Sequence, residues 1–167
     1  DAGGLNSKFD VLVFADDTTP TLPGGAFGAS RTGRQPAPEN IPAEFRPWLG
    51  NITEQTTVPQ LSAFVQAGGT VMTIGSANKL AMMLGAPVAP ALVRQENGRT
   101  LPLDSRDFFI PGSVLSAAID NTEPLAFGMP DRADMFFANS QSFTLTGEAA
   151  RRVAWYDSAA PLRSGWG

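Results

Sequence analysis

Apolar residues fall along this chain in short runs of two kinds. Phe9-Asp10-Val11-Leu12-Val13-Phe14 is nearly continuous and rich in β-branched and aromatic members, a pattern that predicts a buried parallel strand. Thr70-Val71-Met72-Thr73-Ile74 repeats it. Between the two, Leu61, Phe64 and Val65 recur at i, i+3 and i+4, the spacing of one helix face. Thr57 or Val58 precedes a first turn that contains Pro59, and Gly68-Gly69 supplies a left-handed stop. Ala77 to Leu84 predicts a second helix, ended by Gly85 and Pro87. Strand, long loop, helix, strand, tight turn and helix is the succession of a parallel sheet covered by helices.

The second half changes character. Asp107 to Leu115 and Ala133 to Ala138 read as further strands separated by turn residues such as Gly128-Met129-Pro130-Asp131, and Val153 to Asp157 as a last one. Less helix lies between them, so a mixed sheet is expected here. Pro111-Gly112 marks an edge or a bulge. From about residue 15 to 56 the pattern dissolves into a loop punctuated by Pro20, Pro23, Gly24, Gly25, Gly28, Gly33, Pro36, Pro38, Pro42 and Pro47. Phe45, Trp48 and Leu49 form its local apolar cluster, and the plain reading is an excursion anchored by Trp48. The 167 residues fit one domain, 1–167.

Composition narrows the chemistry more than it narrows the fold. The chain has no His and no Cys, so it cannot assemble a Ser-His-Asp or Cys-His triad, a disulfide, or a zinc or iron–sulfur site of the common kind. No metal site is expected within it. Twelve Lys and Arg against 16 Asp and Glu, net charge -4, argue against a surface that neutralises nucleic-acid phosphates. No run of about 18 apolar residues suggests a membrane span. Walker, Gly-x-Gly-x-x-Gly and calcium-loop patterns are all missing.

Two places could carry chemistry. In Ile74-Gly75-Ser76-Ala77-Asn78-Lys79 a strand passes through Gly-Ser into a helix, which sets Ser76 at the C-terminal edge of the sheet beside helix N–H groups. Ser76 is the candidate nucleophile, although Asn78 stands where an elbow motif would have a second Gly, and only Lys8 or Lys79 could serve as a lysine base. The plainer reading makes Ser76 the cap of the helix starting near Ala77. Asp16-Asp17 follows the first strand, at the same edge, where open α/β sheets bind ligands; the plainer reading is a solvated loop start. Asp16, Asp17, Ser76 and Asn78 are therefore the candidate ligand-binding residues. Asp104, Arg106 and Asp107 read as a charged surface cluster, and Arg151-Arg152 is a lone basic doublet.

The succession of Phe9 to Phe14, Ile41-Pro42, and Leu61 through Thr70, followed by Pro111-Gly112-Ser113, Pro124 through Pro130 and Leu162 through Trp166, resembles the class I glutamine amidotransferase-like domain. More narrowly, it is similar to the version carried C-terminally by secreted bacterial zinc carboxypeptidases of the carboxypeptidase A type. The resemblance implies an α/β, flavodoxin-like fold: a mostly parallel sheet flanked by helices, with mixed strands in the second half, incomplete at both ends. It sets Ser76 where true amidotransferases carry their catalytic Cys, and the absent Cys and His mean that glutaminase activity is not carried over. It implies a non-catalytic accessory domain, with an upstream peptidase domain of the same chain as partner and zinc held only there. A peptide or small molecule would be the ligand, and the location secreted or periplasmic. Two other functions remain open: a serine-dependent hydrolase using Ser76, and a carbohydrate- or peptide-binding module with Trp48, Trp155 and Trp166 as stacking platforms.

Overall fold

A computed structural model describes residues 3–16, 38–50, 52–138 and 140–166. The chain divides into two compact units, Asp1–Ala86 and Pro87–Gly167, and each is taken by itself below.

In the first unit β1 (Val11–Phe14) and β2 (Thr70–Thr73) pair in parallel, with Val11 opposite Thr70 and Phe14 opposite Thr73. Both runs predicted as core strands are strands. Between them α1 (Thr57–Gln66) begins where the Thr53 carbonyl accepts the N–H groups of Thr57 and Val58, with Pro59 in the first turn. Leu61 and Phe64 of its expected apolar stripe are buried, whereas Val65, the third member, is exposed. Gly68, at φ 93°, makes the left-handed stop that a side chain would strain. Gly69 has a different task, because a methyl there would overlap the Phe64 ring. The chain then turns directly into β2. After β2 comes a 3-10 turn, Gly75–Asn78, and α2 (Lys79–Met83), in place of one continuous helix from Ala77.

One face of the parallel pair is uncovered. Val11, Val13 and Met72, with Ile74 just beyond β2, are exposed, whereas parallel strands are ordinarily covered on both sides. Of the long Gly/Pro loop, residues 38–50 contain two 3-10 turns, Pro38–Asn40 and Ala43–Trp48; residues 17–37 lie outside the described ones. Phe45 and Trp48 stack as a tilted pair 5.4 Å apart, as their clustering suggested. Burial does not make Trp48 an anchor, however: the residue is 79% exposed.

The second unit is antiparallel throughout its described pairings, so the sheets of the chain are mostly antiparallel and not mostly parallel. The cause lies in the connections. A parallel neighbour usually needs a helical crossover of a dozen or more residues, and the one helical piece among the described residues of this unit is the 3-10 turn Pro124–Ala126. In chain order the unit contains β3 (Val88–Pro90), β4 (Val93–Glu96), β5 (Arg99–Pro102), β6 (Ser113–Ile119), β7 (Arg132–Phe137), β8 (Phe143–Leu145), β9 (Ala154–Trp155) and β10 (Leu162–Ser164). β6 is the axis. It pairs with β7 along one side, and on the other with β10 near its start and β9 near its end. Leu115, Ala117, Ala118 and Ile119 on β6 and Phe137 on β7 form the buried core, and Phe137 is met edge-on by Phe108 and Tyr156. Asp107 to Gly112 is not strand; β6 begins only at Ser113.

β10 is held by a polar latch. The buried Ser113 hydroxyl donates to the Trp166 carbonyl, and its oxygen accepts the Trp166 N–H at 2.9 Å. Gly165, at φ 108°, lets the chain come this close: a Cβ there would sit 2.5 Å from Ser113 Oγ. Of the expected surface cluster, Asp104 and Asp107 join an ion-pair network centred on Arg94 of β4, which meets Glu96, Asp104 and Asp107 at 3.2, 3.1 and 3.7 Å, while Arg106 enters through its backbone N–H. Asp104 also accepts the N–H groups of Arg106 and Asp107, and these bonds, ahead of the Arg94 charge, hold its carboxyl below the ordinary carboxylate range.

Two substitutions test this packing. Gly69→Ala is expected to destabilise the protein by about 1–3 kcal/mol, because the Phe64 ring has no alternative seat; a urea midpoint unchanged from wild type would show that α1 yields freely. Ser113→Ala is expected to cost about 1–3 kcal/mol and to speed hydrogen exchange at Trp166 ahead of the β6 core.

Candidate functional site

The C-terminal ends of β1 and β2 lie side by side, with the Ile74 N–H bonded to the Phe14 carbonyl at 3.0 Å. Each strand then turns outward: Asp16 follows β1, and Gly75-Ser76 follows β2. The parallel register brings these two departures together. Asp16 Oδ1 accepts both the Ser76 N–H and the Ser76 hydroxyl, each at 2.7 Å. Gly75, at φ 60°, presents its bare Cα to the same carboxylate; a Cβ would lie 2.5 Å from Asp16 Cγ. Gly75 is thus required twice over, by its left-handed backbone and by the carboxylate packed on it.

Of the four candidate ligand-binding residues, the structure joins Asp16 and Ser76 and gives Asn78 a separate task. Asn78 Oδ1 accepts the Thr73 hydroxyl at 2.9 Å, which ties the end of β2 to the 3-10 turn. Asp17 lies outside the described residues. The capping role expected of Ser76 falls instead to Asp16. Ser76 sits inside the turn, and no side chain of the turn itself caps it or α2; the carboxylate that meets its N–H arrives from sixty residues away. Position alone placed both residues at the edge, but their bond depends on register, which no local pattern reveals.

Lys79, the candidate base, is the first residue of α2 and is only 6% exposed. Burial pushes its ammonium below the ordinary lysine range, since desolvation disfavours the charged form. Lys8, the other lysine, is exposed beside the 3-10 turn Leu5–Ser7. Among the described residues no three His, Cys, Asp or Glu side chains converge, and no helix is long and apolar enough to cross a membrane. The donor set here does not suit zinc, whose usual nitrogen and sulfur ligands the chain lacks.

A second feature belongs to the Pro87–Gly167 unit. An open cleft of about 930 Å³ lies against β7, β8 and β9, with Phe143, Trp155 and Tyr156 in its walls and Gln141 and Arg152 among its polar groups. Periodicity could not find it, because it is built from loops and strand ends. A small set of aromatic and amide residues between Phe136 and Tyr156 is the only trace it leaves in the sequence.

Two experiments probe the first site. Asp16→Ala is expected to cost about 1 kcal/mol, the usual worth of a capping side chain, read as a lower urea midpoint with unchanged m value. For Lys79 the unfolded chain keeps its proton to higher pH than the folded chain, so stability should rise as alkaline pH climbs from the lowered value towards the ordinary lysine one. Lys79→Met should flatten that rise; an equal rise in the variant would place its source elsewhere.

No protein-family model matches the chain, and no curated protein or solved structure matches it.

Proposed function

We propose that this chain is a non-catalytic, amidotransferase-like accessory domain of a secreted or periplasmic bacterial zinc carboxypeptidase-like protein, built on a flavodoxin-like plan and serving packing or ligand presentation. The observation that carries the non-catalytic part is the pair of hydrogen bonds from Ser76 to Asp16. A nucleophile at a strand-to-helix turn works only if nearby N–H groups can receive the negative charge that develops on the substrate. Here the Ser76 N–H already donates to a carboxylate, and a second anion at that place would be repelled. The hydroxyl also donates its proton to the same carboxylate, at 2.7 Å. The exposed apolar face of Val11, Val13, Met72 and Ile74 supports the packing role, since it offers a partner domain of the same chain a surface to cover. Zinc chemistry would belong to that partner.

A serine-dependent hydrolase is the second reading, and buried Lys79 favours it, because desolvated lysines serve as bases. It requires Ser76 to leave Asp16. The exposed side chains of Trp48 and Trp166 support a third, a carbohydrate- or peptide-binding module.

The chain is expected to hydrolyse neither p-nitrophenyl acetate nor glutamine faster than its Ser76→Ala variant; turnover that this substitution abolishes would overturn the proposal. Reading the coding DNA upstream tests the rest. A peptidase domain with zinc-binding His and Glu residues is expected, and a frame without one would contradict the accessory role.

A further inference from the structure

We propose that the cleft of the Pro87–Gly167 unit binds the carboxyl-terminal end of a peptide with apolar side chains, taking a backbone N–H on Gln141 and the terminal carboxylate on Arg152. The inference stands apart from the reading of Ser76, which belongs to the other unit.

Size and lining come first. About 930 Å³ is within the range of sites that enclose small ligands, and every lining residue comes from this one unit. Met135, Phe143, Trp155 and Tyr156 give it a largely apolar and aromatic wall, and Phe137 braces Tyr156 from the core at 6.4 Å. Apolar side chains of a guest would find their contacts there.

The polar groups then select the guest. Gln141 Oε1 is buried and accepts no hydrogen bond among the described residues. A buried acceptor left unpaired is a cost that a ligand N–H would remove. Charge adds the second requirement. Two arginines and no Asp or Glu line the cleft, in a chain whose net charge is -4. Arg151 is engaged with Glu123 at 2.8 Å. Arg152 sets its guanidinium over Trp155 at 4.9 Å and makes no ion pair among the described residues, so its N–H groups are left to a ligand. An apolar wall, an acceptor needing an N–H and one oriented guanidinium together describe an apolar residue with an amide N–H beside a carboxylate. That is the end of a peptide. A neutral sugar would leave Arg152 unused, and a polyphosphate would find a single uncommitted cation.

The test is isothermal titration calorimetry of the full chain with N-acetyl-Leu-Phe as its free acid and as its carboxamide. The acid is expected to bind saturably and the amide about tenfold or more weakly, the loss of a charge-assisted contact. Gln141→Met and Arg152→Gln should each weaken the acid by a similar factor, and Arg152→Gln should also abolish the difference between acid and amide. Equal binding of acid and amide to the wild-type chain, or no saturable binding of either up to the solubility limit, would overturn the proposal. The comparison within the wild-type chain keeps the test decisive even if a variant fails to fold.

Discussion

A carboxylate seated on a glycine organises the sheet edge of the first unit. Asp16 can reach Ser76 only because β1 and β2 run parallel and in register, so that both strands end at one level, and only because Gly75 has no side chain to hold the carboxylate off. The same contact limits what the edge can do. A turn whose leading N–H groups faced solvent would attract an anion. This one carries its own, supplied by the chain, and the hydroxyl that might have attacked a substrate is bound to it.

Support for this arrangement extends back through the unit. The level of β2 depends on where α1 ends, and that depends on the Gly68 turn and on the Phe64 ring lying over Gly69. The Thr73–Asn78 hydrogen bond then fixes how the chain leaves the strand. In the second unit β6 plays the corresponding part, as the strand that every other member of its sheet pairs with. Side-chain ties close that sheet: Ser113 to Trp166, and Arg132, which pairs with Asp157 at 2.8 Å and donates to Ser116. The hydrogen bonds from Arg132 hold the Asp157 carboxyl below its ordinary range.

The first unit is legible in its apolar runs and helix period, although the burial that those runs suggest for β1 and β2 is not there: Val11, Val13 and Met72 are exposed. Continuous apolar runs gave away β1 and β2, and a three-residue stripe with a Gly-Gly stop gave away α1. The second unit was harder because its strands are short and partly exposed. Asn97-Gly98, with φ of 50° and 74°, closes the β4–β5 hairpin, and this pair is a strong hairpin signal that the apolar pattern around it obscured. Phe108-Phe109-Ile110 misled in the opposite direction: it is apolar enough for a strand, yet Phe108 serves the core as a single ring against Phe137. Strand direction is a further difference: the expectation of a mostly parallel sheet rests on the helical signal of the first half and on the resemblance, whereas the second half, expected to be mixed, pairs only antiparallel among its described strands. At the site, types and positions were visible, while the bond between residues sixty apart was not.

The account turns on whether Ser76 is occupied or available. Intact-mass analysis after exposure to a fluorophosphonate, which esterifies activated serine hydroxyls, measures this directly. The mass of the chain should remain unchanged; an adduct on Ser76 that is lost in Ser76→Ala would contradict the account.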